Sequence, residues 1–217
     1  MTSDRKHTQY NTVVMVRAKD RLNATRIEGI AVEDLTRPLL VFFHGDAIDL
    51  IADESSPWVE LARQSGIELA YCTTAWQRRR NGLPAAAVRP SSLVQFWAHQ
   101  MACWQACTDP DLNEQPVLIR LIDAQPALGW QERLEVMLAA ATLEIPLSIQ
   151  FEADAWCSLA DAADQRRAWQ QLLDFELADI EVLGVEADPD QVSLGVRYAP
   201  AAARDRAGQP AVRRIEL

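Results

Sequence analysis

The first hydrophobic pattern in the chain is two short runs, Thr12–Val16 and Leu39–Phe43, that are apolar at nearly every position. A strand with one wet face alternates polar and apolar residues, so runs without alternation predict strands buried on both faces, as in a parallel sheet. Ser56-Pro57 then sets a helix start, with serine as N-cap and proline in the first helical position. Trp58, Leu61 and Ala62 mark the inner face of that helix, which ends at Gly66. A strand over 67–71 follows directly, and Thr73-Thr-Ala-Trp-Gln-Arg-Arg-Arg80 reads as a further helix. After a loop rich in Pro, Ala and Arg, Ser91-Ser92 caps a longer helix through about Cys107, with Leu93, Phe96, Trp97, Met101 and Trp104 at helical spacing.

Residues 108–116 are polar, rich in helix and strand breakers and without periodicity, which makes them the best linker in the chain. The pattern then restarts, with a strand over 117–122, a helix over 130–143, a strand over 147–151, a helix over 164–175 and a strand over 180–183. The expected fold class is therefore α/β, with two tandem three-layer α/β/α doubly wound domains, mainly parallel, over residues 10–108 and 116–217. The two halves also correspond in detail. Val41-Phe-Phe-His-Gly-Asp-Ala-Ile48 has a counterpart in Ile149-Gln-Phe-Glu-Ala-Asp-Ala-Trp156, and the helix, Gly, strand order of 58–72 parallels the helix, turn, strand order of 169–184. A divergent duplication is the economical account.

Composition narrows the function classes. A chain of 217 residues, 49% of them hydrophobic, can bury a real core. A formal charge of -10 and a pI near 4.8 argue against nucleic acid as the primary partner, because such surfaces need clustered Lys and Arg to displace counterions. The one dense basic cluster, Arg78-Arg79-Arg80, closes a helix, where cations are favourable in any case. No apolar run approaches a membrane span, and the stretch from Met1 to Gln9 is too polar for a signal peptide, so a cytoplasmic protein with no membrane partner is expected. Three histidines, His7, His44 and His99, lack ligand spacing, and no glycine-rich loop follows the first strand of either half. Neither a metal site nor a cofactor is expected.

Four cysteines, Cys72, Cys103, Cys107 and Cys157, form no repeated pair, so they are expected as reduced thiols. Cys72 is the most informative. It closes Ile67-Glu-Leu-Ala-Tyr71 and opens a helix, a strand-to-helix junction that suits a thiolate or persulfide. His44, ending the neighbouring strand, is a candidate for cationic or hydrogen-bonding help. The ordinary reading is that a free cysteine is a small buried hydrophobe and a lone histidine a packing residue. Cys103 and Cys107 share a helical face at i and i+4, as a relay pair or as packing, and Cys157 reads as structural.

These segments carry a resemblance to the DsrE/DsrF-like sulfur-relay family, which includes the DsrEFH and TusBCD subunits. Val41 to Ile48 is similar to the family's strand ending in a Phe-Phe-aromatic-x-Asp-Gly-Val pattern, with Asp46-Ala47-Ile48 here. Trp58 through Leu69, with Cys72-Thr-Thr-Ala-Trp-Gln-Arg-Arg79, resembles the DsrE/TusD segment that holds the sulfur-carrying cysteine, and Cys72 is the matching position. Gln131 to Leu143, Leu147 to Trp156 and Leu172 to Val182 resemble DsrF/TusC, and the second half has no equivalent thiol. Arg21 to Arg37 is shorter and more polar than the helix the family places there.

The resemblance implies a sulfur carrier, sulfurtransferase-like if active, that holds sulfane sulfur as a Cys72 persulfide with His44 beside it. It also implies partner proteins with reactive thiols, TusA/DsrC/TusE-like, and a homo-oligomer. The alternative is a non-catalytic scaffold or binding module of the same fold, with Cys72 buried. Exposure of Cys72 separates the two.

Overall fold

The structure, a computed structural model, describes residues 10–16, 26–27, 30–31, 37–107, 115–185, 196–200 and 213–217. His7, most of the 21–37 segment, the 108–114 part of the expected linker and the side chain of Cys107 lie outside the described residues. The chain divides into two compact units, Met1–Thr108 and Asp109–Leu217.

In the first unit β1 (Thr12–Val16) is followed by a two-stranded antiparallel ribbon, β2 (Arg26–Ile27) and β3 (Ile30–Ala31). Then come β4 (Leu39–Phe43), a 3-10 helix Gly45–Ile51, α1 (Pro57–Ser65), β5 (Glu68–Cys72), α2 (Thr73–Arg79), β6 (Val88–Ser91) and α3 (Leu93–Cys107). The main sheet is parallel throughout, with its strands in chain order β1-β4-β5-β6. Successive side chains of β4 point to opposite faces, and both faces are packed. Phe42 meets Phe96 of α3 with ring centroids 5.2 Å apart, while Phe43 meets Trp58 of α1 edge-on at 5.3 Å. That two-sided burial is why β4 is apolar at all five positions. Ser56 caps α1 by accepting from the Trp58 N–H, and Gly66 ends it at φ +68, a left-handed conformation that glycine adopts without steric cost. Trp97 is fully buried and belongs to the core.

The second unit runs β7 (Val117–Leu121), α4 (Ala127–Ala141), β8 (Leu147–Glu152), α5 (Ala153–Asp161), α6 (Ala163–Asp174), β9 (Ala178–Leu183), β10 (Arg197–Ala199) and β11 (Arg214–Glu216). Its five strands are parallel in the order β10-β9-β8-β7-β11. The core is an aromatic cluster in which Phe151 lies 5.4 Å from both Trp156 and Trp169, and Trp130 lies 5.8 Å from Trp169. The indole N–H groups of this pair are satisfied, Trp169 donating to the Trp130 carbonyl and Trp130 to the Ser158 hydroxyl, each at 3.2 Å. Leu147, Ile149 and Phe151 are buried on that face, whereas Ser148, Gln150 and Glu152 on the other are half-buried. There Arg120 pairs with Glu152, and the Gln150 amide donates to Glu181 at 2.7 Å.

The α/β class is that expected, with two parallel-sheet units in tandem. Strand β4, its following helical segment, α1 and β5 line up element by element with β8, α5–α6 and β9. In the two parallel sheets, three strands differ from the expectation. β6 contains Pro90, and β10 and β11 are short, with Arg197 at the start of one and Arg214 at the start of the other. All three are edge strands, where a missing N–H or a polar side chain is tolerated because one side of the ladder needs no partner.

Candidate functional site

The carboxyl ends of parallel strands are where open α/β sheets usually gather functional groups, and both residues singled out above lie there. β4 stops at Phe43, and the His44 N–H donates to the Val16 carbonyl at 2.8 Å, so the chain stays extended for one more residue. Gly45, at φ +62, then turns it into the 3-10 helix. β5 ends on Cys72 itself, which occupies the N-cap position of α2 with an extended backbone. Its sulfur makes no capping bond to the helix.

Register brings these positions together. Phe43 is the partner of Tyr71, so His44 stands level with Cys72 on adjacent strands spaced about 4.8 Å apart. Cys72 is in turn the partner of Ser91, whose hydroxyl donates to the Gln95 side chain at 3.0 Å. His44 lies two residues beyond Phe42 and so shares the face covered by α3. His44, Cys72 and Ser91 therefore form one row along the sheet edge.

The row is covered. His44 is 0% exposed, Cys72 2% and Ser91 5%. A thiol at this depth does not meet a bulky donor or acceptor without local opening. Cys72 therefore lies level with His44 at the strand ends, and both side chains are covered.

The remaining thiols fall elsewhere. Cys103 is buried, and its S–H donates to the Asn11 carbonyl at 3.1 Å, tying α3 to the start of β1. Cys157 is exposed on α5, an exposure that the sequence reading did not anticipate. The sequence lacked a signal for this because α5 itself was not anticipated; its outward face places Cys157 beside buried Trp156. His99 packs edge-on against Tyr10 at 5.0 Å. Among the described residues no group of three or more His, Cys, Asp or Glu side chains is placed to hold a metal ion, and no helix is long and apolar enough to cross a membrane. A cavity of 20 Å³ lies among Phe151, Trp156, Leu159 and Trp169 in the second unit. It has room for about one water and is lined by apolar groups that offer a water few partners.

No family model, curated protein or solved structure matches the chain.

Proposed function

We propose that this protein is a non-catalytic binding and assembly module of the DsrE/DsrF-like kind, in which Cys72 and His44 are core residues. The observation that carries this reading is the burial of the row at the carboxyl edge, with Cys72 2% and His44 0% exposed. Exchange of sulfane sulfur is a bimolecular displacement. The attacking thiolate must reach the donor in line with the S–S bond it breaks, so an inaccessible thiol is inert whatever its neighbours. The assembly reading places the protein beside thiol-bearing sulfur-relay partners and asks of this fold only a stable surface.

A second reading is favoured by the register of His44 and Cys72. In it, local opening at the start of α2 exposes the thiolate, which attacks the outer sulfur of a persulfide R–S–SH. The Cys72–sulfur bond forms, the donor's S–S bond breaks, and R–S⁻ departs carrying the electron pair. Intact-mass spectrometry after polysulfide exposure separates the readings, using a Cys103→Ser, Cys107→Ser, Cys157→Ser background so that Cys72 is the remaining thiol. The assembly reading expects unmodified protein. A gain of about 32 Da, one sulfur atom, that vanishes on further Cys72→Ser substitution establishes the carrier instead.

A further inference from the structure

The cavity in the second unit has walls of two kinds. Its floor is built from Phe151 on β8, Trp156 and Leu159 on α5 and Trp169 on α6, none of them more than 5% exposed. The opposite wall is the outer part of α6, where Arg166, Gln170 and Leu173 line the same space. Arg166, Trp169, Gln170 and Leu173 follow helical spacing, so one face of α6 runs from the aromatic floor to the surface. Arg166 is exposed and Gln170 and Leu173 are half-buried, which makes this the side on which the cavity meets solvent.

The floor is held open by its own rings. Phe151 meets Trp156 and Trp169 at interplanar angles of 75° and 68°, so three rigid groups stand edge to face. The Trp169 indole is anchored on the Trp130 carbonyl, and Trp156 stands edge-on to Tyr198 at 6.3 Å. Rings fixed by their neighbours do not swing into a void. The lining is apolar, and an apolar space of this size does not retain a water. A guest therefore enters a preformed hole without displacing well-bound solvent, the arrangement in which ordering and desolvation cost least.

The mouth supplies a charge. An arginine that lines a cavity and is also exposed lays its methylene stem along the wall and keeps its guanidinium in water. One turn before and after Arg166 stand Ala162, Ala163, Trp169 and Gln170, none of them acidic, so α6 itself gives the guanidinium no ion pair. Gln170 is committed along the helix, donating to Asp174 at 2.9 Å. A cation at the rim of an apolar hole is complementary to an anion that carries a short apolar tail.

We propose that this cavity binds a short aliphatic monocarboxylate, its terminal methyl group among Phe151, Trp156 and Trp169 and its carboxylate on Arg166. The volume of 20 Å³ suits one methyl group, which is about the size of a water, so the tail is short and ring-bearing acids are excluded. Burial of the methyl group supplies the attraction, and the guanidinium selects the sign of the head group and its distance from the tail. Every residue of the site belongs to the second unit. The site adds a small-molecule ligand to the assembly reading and stands whatever Cys72 does.

The test follows the indole N–H resonances of the isotope-labelled full chain as propionate is added at constant ionic strength. The Trp156 and Trp169 signals, assigned with Trp156→Phe and Trp169→Phe, shift and saturate in the millimolar range, the affinity open to a ligand of so few atoms. Formate, which has the charge without the tail, and propylammonium, which has the tail with the opposite charge, leave them in place. Arg166→Gln weakens propionate binding about tenfold or more, the loss of a charge-assisted contact. Leu173→Phe, which fills the cavity from its half-buried rim, abolishes it, and thermal unfolding confirms that both variants are folded. Indole signals unmoved by propionate, moved equally by formate or propylammonium, or responding in either variant as in wild type would overturn the proposal. Because this readout does not involve a thiol, its failure is separable from failure of the buried-cysteine reading.

Discussion

Cys72 and Ser91 are partners on the last rung shared by β5 and β6, one closing a strand that leads into α2 and the other closing the strand before α3. Both are buried, so the pair acts as a seam between two strand-to-helix turns. Cys72→Ala should lower stability by about 1 kcal/mol, the effect of removing one small buried group. Cys72→Asp costs several times more, because it places a carboxylate where solvent does not reach. Chemical denaturation of the two variants measures the difference; equal stabilities would mean that the site is open.

Glu144 and Glu176 hold left-handed backbone conformations without the freedom of glycine. Glu144→Gly and Glu176→Gly should each stabilise the protein by roughly 1 kcal/mol, the steric cost of a Cβ in this region less the entropy glycine adds to the unfolded chain. Thermal midpoints of both variants should therefore rise, and unchanged midpoints would contradict the strain argument.

Arg120 and Glu152 form an ion pair with side chains only 8% and 19% exposed. Glu152→Ala should cost about 3 kcal/mol, since it leaves the guanidinium desolvated without this partner. Replacing both residues with apolar ones of similar volume should recover most of the loss, because two desolvation costs disappear together. Urea denaturation of the single and double variants gives the comparison.

The Tyr10 phenol is held above its ordinary value of 10.0, first by burial and then by its hydrogen bond to Glu68, with Arg89 opposing. A raised folded-state pKa contributes stability that is complete below the unfolded value and is lost as pH rises through the folded one. At neutral pH the contribution is intact. Above pH 10 the wild type should lose stability more steeply than Tyr10→Phe, which keeps the ring against His99 and has no proton to release. Denaturation midpoints across the alkaline range decide it.

The strands legible in the sequence are those with a strong physical signature. β4 is buried on both faces and reads as Leu-Leu-Val-Phe-Phe; α1 announces itself through Ser56, Pro57 and Gly66. β6 was not legible because its pattern is broken by Pro90, which only an edge position tolerates. α5 was hidden because the sequence correspondence between halves treats Glu152-Ala153-Asp154 as a step after a strand, whereas the backbone turns there directly into a helix. At the candidate site, the location of Cys72 on a strand end and the nearness of His44 followed from counting residues. Its depth did not, because burial depends on how α3 and the 3-10 helix close over the edge, and no single segment encodes that. The exposed Phe175 and Leu83 are invisible to a hydrophobic pattern for the converse reason: an apolar residue beside a helix end or in a loop is read as core until the fold shows which way it faces.

Cys72 belongs to the core of the native protein, and Cys157, exposed on α5, provides an internal reference. The most direct measurement is the rate at which each thiol reacts with an aromatic disulfide reagent under native conditions, resolved by peptide mass spectrometry. Cys157 should react at once while Cys72 reacts only as fast as the protein unfolds, with a rate that climbs as denaturant is added. Labelling of Cys72 in the native protein at the rate of Cys157 would contradict it.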